Sequence, residues 1–422
     1  MRAIHLLSCT ALALAATTAL TLGTGAATAS PLTLEATPSG ASSTQFDAAT
    51  AGDWIVMLEL PEEATGDRAL TTSSARTAVA TATASAASRF SAQGVDVRAQ
   101  LDTLGAVTAA DLTPEQVAAL EADPAVASVE RDARVSIDEE QADAPWGLDR
   151  VDQEAAELDK TYTYEGTGEG VTAFIIDTGI RATHKDLAGR VGEGHTVVQD
   201  GEGTNDCQGH GTHVAATVGG TTYGVAKGVK LEPVRVLECD GSGSVLGILA
   251  AMEWVMDEAA ATEGPDVANM SLGGTKLGAM DEAVDRMSDA GVVTAVAAGN
   301  DTEDACQHSP AASQKAITVG ATDNTDVLAE FSNFGECVDI LAPGVDITSA
   351  WKDSDDATKT ISGTSMASPH VAGAAALALQ KNPEATADQV KETLTTTATK
   401  DAIDKVNGSP NLLLNALKAF QA

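Results

Sequence analysis

Three short segments of the chain combine a reactive side chain with small neighbours. Asp177 is followed by Thr-Gly, His210 lies within Gly-His-Gly-Thr-His, and Ser365 lies within Ser-Gly-Thr-Ser-Met-Ala-Ser-Pro. A serine, a histidine and an aspartate can work together as nucleophile, general base and orienting acid in the cleavage of amides or esters. These residue types therefore indicate acyl-transfer chemistry, provided that the fold brings them together.

Each segment also has an ordinary structural interpretation when it is taken alone. An acid before a turn is commonly solvated, and a serine at the start of a helix commonly caps it. His210 and His213 could suggest zinc, but the H-E-x-x-H pattern of zinc proteases requires a glutamate that is missing here. We expect His213 to be a structural, hydrogen-bonded histidine.

The elements that must position these residues alternate between apolar strands and helices. Because the strands are apolar throughout, they predict a parallel sheet buried on both faces, in a doubly wound α/β domain with a mostly parallel sheet. The predicted strands are 171–177, 231–237, 267–272 and 292–298, and the predicted helices are 209–218, 244–261 and 279–290. Ligands bind at the carboxyl ends of the strands in such domains, and Asp177 ends the first strand.

The chain before this domain divides into three parts. Residues 1–29 have the apolar stretch and the small-residue exit of a secretory signal peptide. Residues 30–52 have the Ser/Thr/Ala composition of a linker. Residues 53–137 predict the order β-α-β-β-α-β, a small α+β ferredoxin-like domain. The larger domain is predicted to span residues 142–422.

Composition and charge exclude several functions. A hydrophobic content of 43% is typical of a globular protein, and a formal net charge of −36 argues against a nucleic-acid partner. The acidity is compatible with solubility outside the cell, with high salt or with calcium binding. After the signal peptide removes Cys9, four of the five cysteines remain and predict two disulfides, with three pairings possible.

The three reactive segments resemble the motifs of the subtilisin family, and the order Asp, His, Ser along the chain is also the subtilisin order. The nearest likeness is to the aqualysin-like bacterial members of the proteinase K group. It is carried by residues 145–153, 206–210, 234–239, 331–335 and Cys337. This resemblance implies a secreted, extracellular serine endopeptidase.

The resemblance also implies a role for individual residues. Ser365 would be the nucleophile, His210 the base and Asp177 the acid that orients it, while Asn300 would help to form the oxyanion hole. The substrate-binding edge would comprise Ser271, Leu272 and Gly273, and the first specificity pocket would add Ala297, Ala298 and Gly299. Since these segments contain no acidic residue, we expect apolar or aromatic side chains before the scissile bond.

Further implications concern cross-links, metals and partners. The resemblance pairs Cys207 with Cys239 and Cys306 with Cys337. It implies no cofactor for the chemistry but two structural calcium sites, one formed by Asp149, Asp152, Gln153 and Asp159 and one by Asp339 with the carbonyls of Gln314 and Ala316. The ferredoxin-like domain would be an inhibitory propeptide, removed at about 138–144 by self-processing of this zymogen. The partners would be protein substrates, without a membrane anchor after signal removal, and the mature enzyme would be a monomer.

Two other functions remain to be weighed. A non-catalytic binding protein on the same scaffold would require the loss of one reactive residue, and all three are present. An esterase could use the same three residues on small esters, whereas the edge at Ser271–Gly274 favours an extended peptide. Comparing turnover of amides and esters would separate these two enzymes.

Overall fold

The computed structural model describes residues 53–61, 64, 72–131, 139–262 and 264–422. These residues form two compact units, divided between Arg134 and Val135. The predicted signal peptide at 1–29 and the linker at 30–52 lie outside the described residues. Within the part of the chain that is described, no helix is both long and apolar enough to cross a membrane.

The N-terminal unit packs two helices against a four-stranded antiparallel sheet in the order β2-β3-β1-β4. Its elements are β1 (Asp53–Leu58), α1 (Ser73–Ala92), β2 (Asp96–Leu101), β3 (Ala106–Ala110), α2 (Pro114–Glu121) and β4 (Val126–Arg131). The sequence of elements is the predicted β-α-β-β-α-β. Helix α2 begins where the sequence indicates, because Thr113 and Gln116 form a capping box and Pro114 occupies the first helical position.

The C-terminal unit is built on a nine-stranded sheet in the order β18-β19-β15-β14-β12-β10-β7-β9-β8. All neighbouring pairs are parallel except β18 and β19. The strands are β7 (Thr172–Asp177), β8 (His195–Thr196), β9 (Lys230–Arg235), β10 (Asp266–Met270), β12 (Val292–Ala297), β14 (Ile317–Thr322), β15 (Ile340–Pro343), β18 (Thr399–Lys400) and β19 (Leu412–Leu413). This is the mostly parallel sheet that the apolar runs predict.

Helices cover the sheet, and short strand pairs lie outside it. The helices are α3 (Trp146–Val151), α4 (His210–Gly219), α5 (Val245–Ala261), α6 (Gly278–Asp289), α7 (Thr364–Lys381), α8 (Ala387–Thr397) and α9 (Ala416–Gln421). The strand pairs are β5 (Glu139–Ala142) with β6 (Thr161–Tyr164), β11 (Gly274–Thr275) with β13 (His308–Ser309), and β16 (Ile347–Ala350) with β17 (Thr358–Ile361). Strand β5 begins three residues before the predicted domain start at 142.

The central strand β7 shows why the sheet is buried on both faces. Ala173 and Ile175 pack into the core that includes apolar residues of α4 and α7. Phe174 and Ile176 pack into a second core with residues of α5 and α6. Since successive strand side chains point to opposite faces, an apolar run requires helices on both sides. The doubly wound fold that the sequence predicts is confirmed.

Candidate active site

Asp177 and His210 form a hydrogen-bonded pair in which the carboxylate is buried and the imidazole is partly exposed. Asp177 ends β7 with a fully buried side chain, and His210 is the first residue of α4. The Nδ1 atom of His210 lies 2.8 and 2.9 Å from the two carboxylate oxygens. Burial lowers the pKa of His210, but the charge and hydrogen bond of Asp177 outweigh it and raise the pKa above its ordinary value of 6.5. The pair can therefore stabilise an imidazolium.

The backbone turn before His210 requires glycine. Gly209 has φ of +113°, in the left-handed region that other residues adopt at a cost. A Cβ atom at this position would also lie 2.4 Å from the Trp351 ring. The turn therefore points His210 out of the strand–helix junction with its side chain 22% exposed.

A second carboxylate, Asp206, joins the end of β7 to the start of α4. One of its oxygens accepts from Thr178 Oγ1 at 3.0 Å and from Gly209 N at 2.7 Å. The other accepts from the backbone N and the Oγ1 of Thr212, at 2.9 and 2.6 Å. Thr178 in turn accepts from Gly211 N. Asp206 is buried, and it positions Asp177 and His210 without touching either side chain.

His213 has the structural role that the sequence suggests. It is buried, and its Nε2 lies 3.0 Å from the carbonyl oxygen of Ile347. Burial lowers the pKa of His213 to about 4, so the ring is neutral. One turn of helix separates two histidines whose surroundings shift their pKa values in opposite directions.

Ser365 lies in the first turn of α7, where backbone N–H groups have no partner within the helix. Its hydroxyl donates to the carbonyl oxygen of Ser271 at 3.1 Å rather than to His210. His210 lines a groove of about 730 Å³, and Ser365 lines an adjoining cavity of about 190 Å³. Because the two cavities share Leu272 and Gly273, His210 and Ser365 border one continuous cleft, with Asp177 buried behind His210.

A buried polar network fixes α7 to the end of β10. The hydroxyl of Ser271 donates to the carbonyl oxygen of Ser365 at 2.7 Å and accepts from Asn269 Nδ2 at 2.9 Å. Asn269 Oδ1 accepts from Ser368 at 2.8 Å. The sequence indicated Ser271 as a substrate-binding residue, but its part in holding Ser365 depends on contacts that only the fold reveals.

Asn300 faces the same cavity as Ser365 with its amide orientation fixed. Its Oδ1 accepts from the backbone N and the Oγ1 of Thr364, at 2.8 and 3.0 Å. The amide nitrogen is therefore left to donate to a ligand. Asn333 supports this segment, because its side chain donates to Ala298 O and accepts from Asp301 N. Neither Thr364 nor Asn333 was singled out from the sequence.

The cleft is lined both by residues that the resemblance implies and by residues that it does not. Ser271, Leu272 and Gly273 border the groove, as the resemblance implies, and residues 241–243 line the same groove. Ala297, Ala298 and Gly299 line the smaller cavity. Asp301 and His308 also line it, with His308 Nδ1 3.7 Å from a carboxylate oxygen of Asp301. The pocket thus contains an acid that the two predicted segments lack.

Two disulfides join the pairs that the resemblance implies. Cys207 is bonded to Cys239 and Cys306 to Cys337, with Cα separations of 5.1 and 5.3 Å. The loops span 32 and 31 residues, for which chain entropy gives a stabilisation of about 3 to 4 kcal/mol each. The first bridge connects the segment before His210 to the segment before residues 241–243, which line the groove.

The first set of predicted calcium ligands fits a cation in one respect. Asp152 has a buried carboxylate oxygen without a hydrogen-bond partner, and burial raises the pKa of this residue to about 6. Asp149 accepts from the backbone N of Asp159 and of Lys160, and Gln153 donates to two carbonyl groups of its own loop. A bound cation would give the unpartnered oxygen of Asp152 a ligand.

The second set does not fit a calcium ion. The Nζ atom of Lys391 lies 2.8 Å from Ala316 O, 3.3 Å from Gln314 O and 2.8 Å from Asp339 Oδ1. These three oxygens are the ligands that the resemblance implies for calcium. A lysine ammonium therefore takes the place expected for the metal, which local sequence patterns do not reveal because Lys391 belongs to a distant helix.

Comparisons with known proteins agree with the fold. The sequence profile of the subtilase family matches residues 168–412. An extracellular serine proteinase of Thermus sp. (strain Rt41A) is 52% identical over 72% of this chain and 74% of its own length. Proteinase T of Parengyodontium album is 48% identical over 68% and 97%. The crystal structure of a cold adapted subtilisin-like serine proteinase, 47% identical, superposes with a TM-score of 0.63 over 65% of this chain and 99% of the other. The chain belongs to the subtilase family of serine proteinases, which are hydrolases.

Proposed function

We propose that this protein is a secreted serine endopeptidase that cleaves proteins through an acyl-enzyme formed on Ser365. The observation that carries this proposal is the 2.8 Å hydrogen bond between Asp177 and His210, whose imidazole lines the same cleft as Ser365 and Asn300. A casein zymogram with and without a covalent serine-directed inhibitor tests it. Clearing that the inhibitor abolishes supports the proposal, whereas clearing that persists contradicts it.

The proposed reaction begins when Ser365 Oγ attacks the carbonyl carbon of the peptide bond. The proton of the hydroxyl passes to Nε2 of His210, and Asp177 stabilises the resulting imidazolium through Nδ1. His210 then gives that proton to the leaving amine as the C–N bond breaks. The bond from Ser365 to Ser271 O must exchange for one to His210, and catalytic hydrogen bonds commonly tighten only when substrate is bound.

The oxyanion of the tetrahedral intermediate would be held by two donors. One is the backbone N–H of Ser365 in the first turn of α7, where the helix dipole also favours negative charge. The other is the amide nitrogen of Asn300, which Thr364 keeps pointed away from itself. Fixed donors of this kind stabilise the charge without reorganisation during the reaction.

Replacing Asn300 by alanine should slow turnover without unfolding the protein. The equivalent change in a subtilisin costs about 10² to 10³ in kcat, and we expect a similar loss here because the second oxyanion donor disappears. Asn300→Asp keeps the size and an acceptor for Thr364 but removes the donor, so it should lose as much. Steady-state kinetics with a peptide amide measures the effect. Unchanged kcat in both variants would remove Asn300 from the mechanism.

The shape of the cleft supports an extended polypeptide as the substrate. A segment lying between residues 241–243 and the 271–273 edge could exchange main-chain hydrogen bonds with both, since small residues leave these backbones accessible. A small ester would need only the acylation centre. A high ratio of amide to ester turnover on matched substrates would therefore favour the endopeptidase over the esterase.

The residue before the scissile bond is expected to be apolar or aromatic. Ala297, Ala298 and Gly299 give the pocket small, uncharged walls, while Asp301 is 62% exposed and close to His308. A solvated, paired carboxylate contributes little to selection of a cation. A panel of peptides that differ only at this residue should show the highest kcat/KM for Phe, Tyr and Leu. Strong preference for Arg or Lys would refute the pocket assignment.

The N-terminal unit is proposed to be an inhibitory propeptide that self-processing removes at about 138–144. Residues 139–142 form β5, which pairs with β6 inside the C-terminal unit. This pairing favours a cut at the beginning of that range, so that β5 stays with the mature enzyme. Secretion is supported by the relative from Thermus, whose name describes it as extracellular.

Calcium is proposed as a structural ligand at the first set of residues, with Asp152 as its central acid. The ion would supply charge compensation and no chemistry, because none of these ligands belongs to the cleft.

The net charge of −36 favours a soluble, monomeric enzyme and argues against a nucleic-acid partner. The proposed partners are protein substrates.

A further inference from the structure

Three oxygen atoms converge on the ammonium group of Lys391. Gln314 and Ala316 precede β14, Asp339 precedes β15, and Lys391 lies in α8. Lys391 Nζ is 2.8 Å from Ala316 O, 3.3 Å from Gln314 O and 2.8 Å from Asp339 Oδ1. The side chains of Lys391 and Asp339 are only 22% and 21% exposed. The contact therefore joins three separate segments of the C-terminal unit at a position with little exposure to solvent.

These oxygens give every N–H donor of the ammonium an acceptor. A lysine Nζ carries three N–H donors and here meets three acceptors. The remaining oxygen of Asp339 accepts from Thr318 N at 2.8 Å, so both carboxylate oxygens have a partner. Two backbone carbonyls and a carboxylate would otherwise be suitable ligands for a hard divalent cation, with water completing its coordination.

We infer that Lys391 is a resident cation that replaces a metal ion at this position, so that removing its ammonium group turns the three oxygens into a calcium site. A calcium ion bound by the same three oxygens, at calcium–oxygen distances of about 2.3 to 2.6 Å, would occupy nearly the same position as Nζ. Two positive charges cannot share that space. This inference rests on the geometry of Lys391 and not on the proposed protease activity.

The replacement changes how the site responds to solution conditions. A calcium ion dissociates when a chelator lowers its free concentration, and the stabilisation that it gives is then lost by mass action. A covalently attached ammonium has no such equilibrium. The starts of β14 and β15 should therefore stay fixed to α8 in the presence of a chelator.

The test counts calcium ions in Lys391→Met and in the wild-type protein. Both are treated with a covalent serine-directed inhibitor to prevent self-digestion, equilibrated with calcium on a gel-filtration column and analysed by atomic absorption. We expect one more calcium ion per chain in Lys391→Met. In the presence of a chelator, the apparent unfolding temperature of Lys391→Met should be below that of the wild type. Calcium at 100 times the dissociation constant should then raise it by about 5 °C more than it raises the wild type.

Lys315→Met is the matched control. This lysine lies between Gln314 and Ala316 but forms its ion pair with Asp289, away from the three oxygens. Its removal should leave the calcium count at the wild-type value. A gain in this variant equal to that in Lys391→Met would assign the effect to net charge and would overturn the inference.

Asp339→Asn provides an independent measurement that does not depend on the stability of Lys391→Met. In the wild-type background it should not change the number of bound calcium ions, because Lys391 already occupies the position. In the Lys391→Met background it should abolish the extra ion. Loss of one calcium from the wild type on Asp339→Asn, or no gain in a folded Lys391→Met, would overturn the inference.

Discussion

The Ser365→Ala precursor should remain full length after purification and should not degrade casein. Removing the equivalent serine of a subtilisin costs about 10⁶ in kcat, because the triad acts as a unit and only the oxyanion hole and substrate binding remain. The same loss would prevent self-processing if the N-terminal unit is removed by the enzyme itself. Gel electrophoresis and a peptide-amide assay measure the two effects.

Ser362→Ala is the matched control for this experiment. Ser362 is exposed three residues earlier, and its hydroxyl bonds only within the Asp346 loop. This variant should process and hydrolyse like the wild type. Adding active enzyme to the Ser365→Ala precursor should release a mature-sized product, which shows that the precursor is folded. A mature-sized band from Ser365→Ala alone would contradict self-processing.

Asp177→Asn should lose about 10⁴ in kcat with little change in the fold, the size of effect known for this substitution in a serine protease triad. It should also move the acid limb of the pH profile. The reaction needs neutral His210, so a pKa raised above 6.5 places the wild-type acid limb above pH 6.5. Without the carboxylate, burial remains and lowers the pKa, so activity should persist to lower pH.

Measuring kcat/KM between pH 5 and 9 tests both parts of this prediction. The variant can be matured by immobilised wild-type enzyme that is then removed. Asp355→Asn is the control, since Asp355 is a half-exposed partner of Arg181 away from the cleft and should leave the profile unchanged. An acid limb at the same pH in Asp177→Asn and the wild type would mean that His210 is not the titrating group.

The sequence predicts the large features of the fold because they depend on local patterns. The apolar run 171–177 specifies strand β7, which is buried on both faces and ends at Asp177, and the Thr113–Gln116 capping box specifies the start of α2. Reactive residues at strand ends and helix starts are visible for the same reason. Ends without such signals differ by one or a few residues, as at β10, which the sequence predicts to end at Leu272 and which ends at Met270.

The supporting residues could not be predicted, because their partners are distant in the chain. Asn269 reaches Ser368, and Lys391 reaches Asp339, through folding that brings separate segments together. Asp301 and His308 likewise enter the pocket from a loop that no strand or helix pattern defines. Nothing in the local sequence of Lys391 distinguishes it from a solvated lysine, so its contact with the second set of predicted calcium ligands could not be foreseen.

The residues proposed to be catalytic are held by two hydrogen-bond networks without a common member. Asp206 and Thr178 tie Asp177 to His210, whereas Asn269, Ser271 and Ser368 hold Ser365. The segment that carries Ser365 and the segment that carries His210 are therefore each held rigidly by their own network. The distance between the two residues depends on the apolar packing of α4 against α7. Substitutions in that packing should change how turnover varies with temperature while leaving each hydrogen-bond network intact. Adaptation to cold or heat could thus act on the gap between them and leave the reactive residues unaltered.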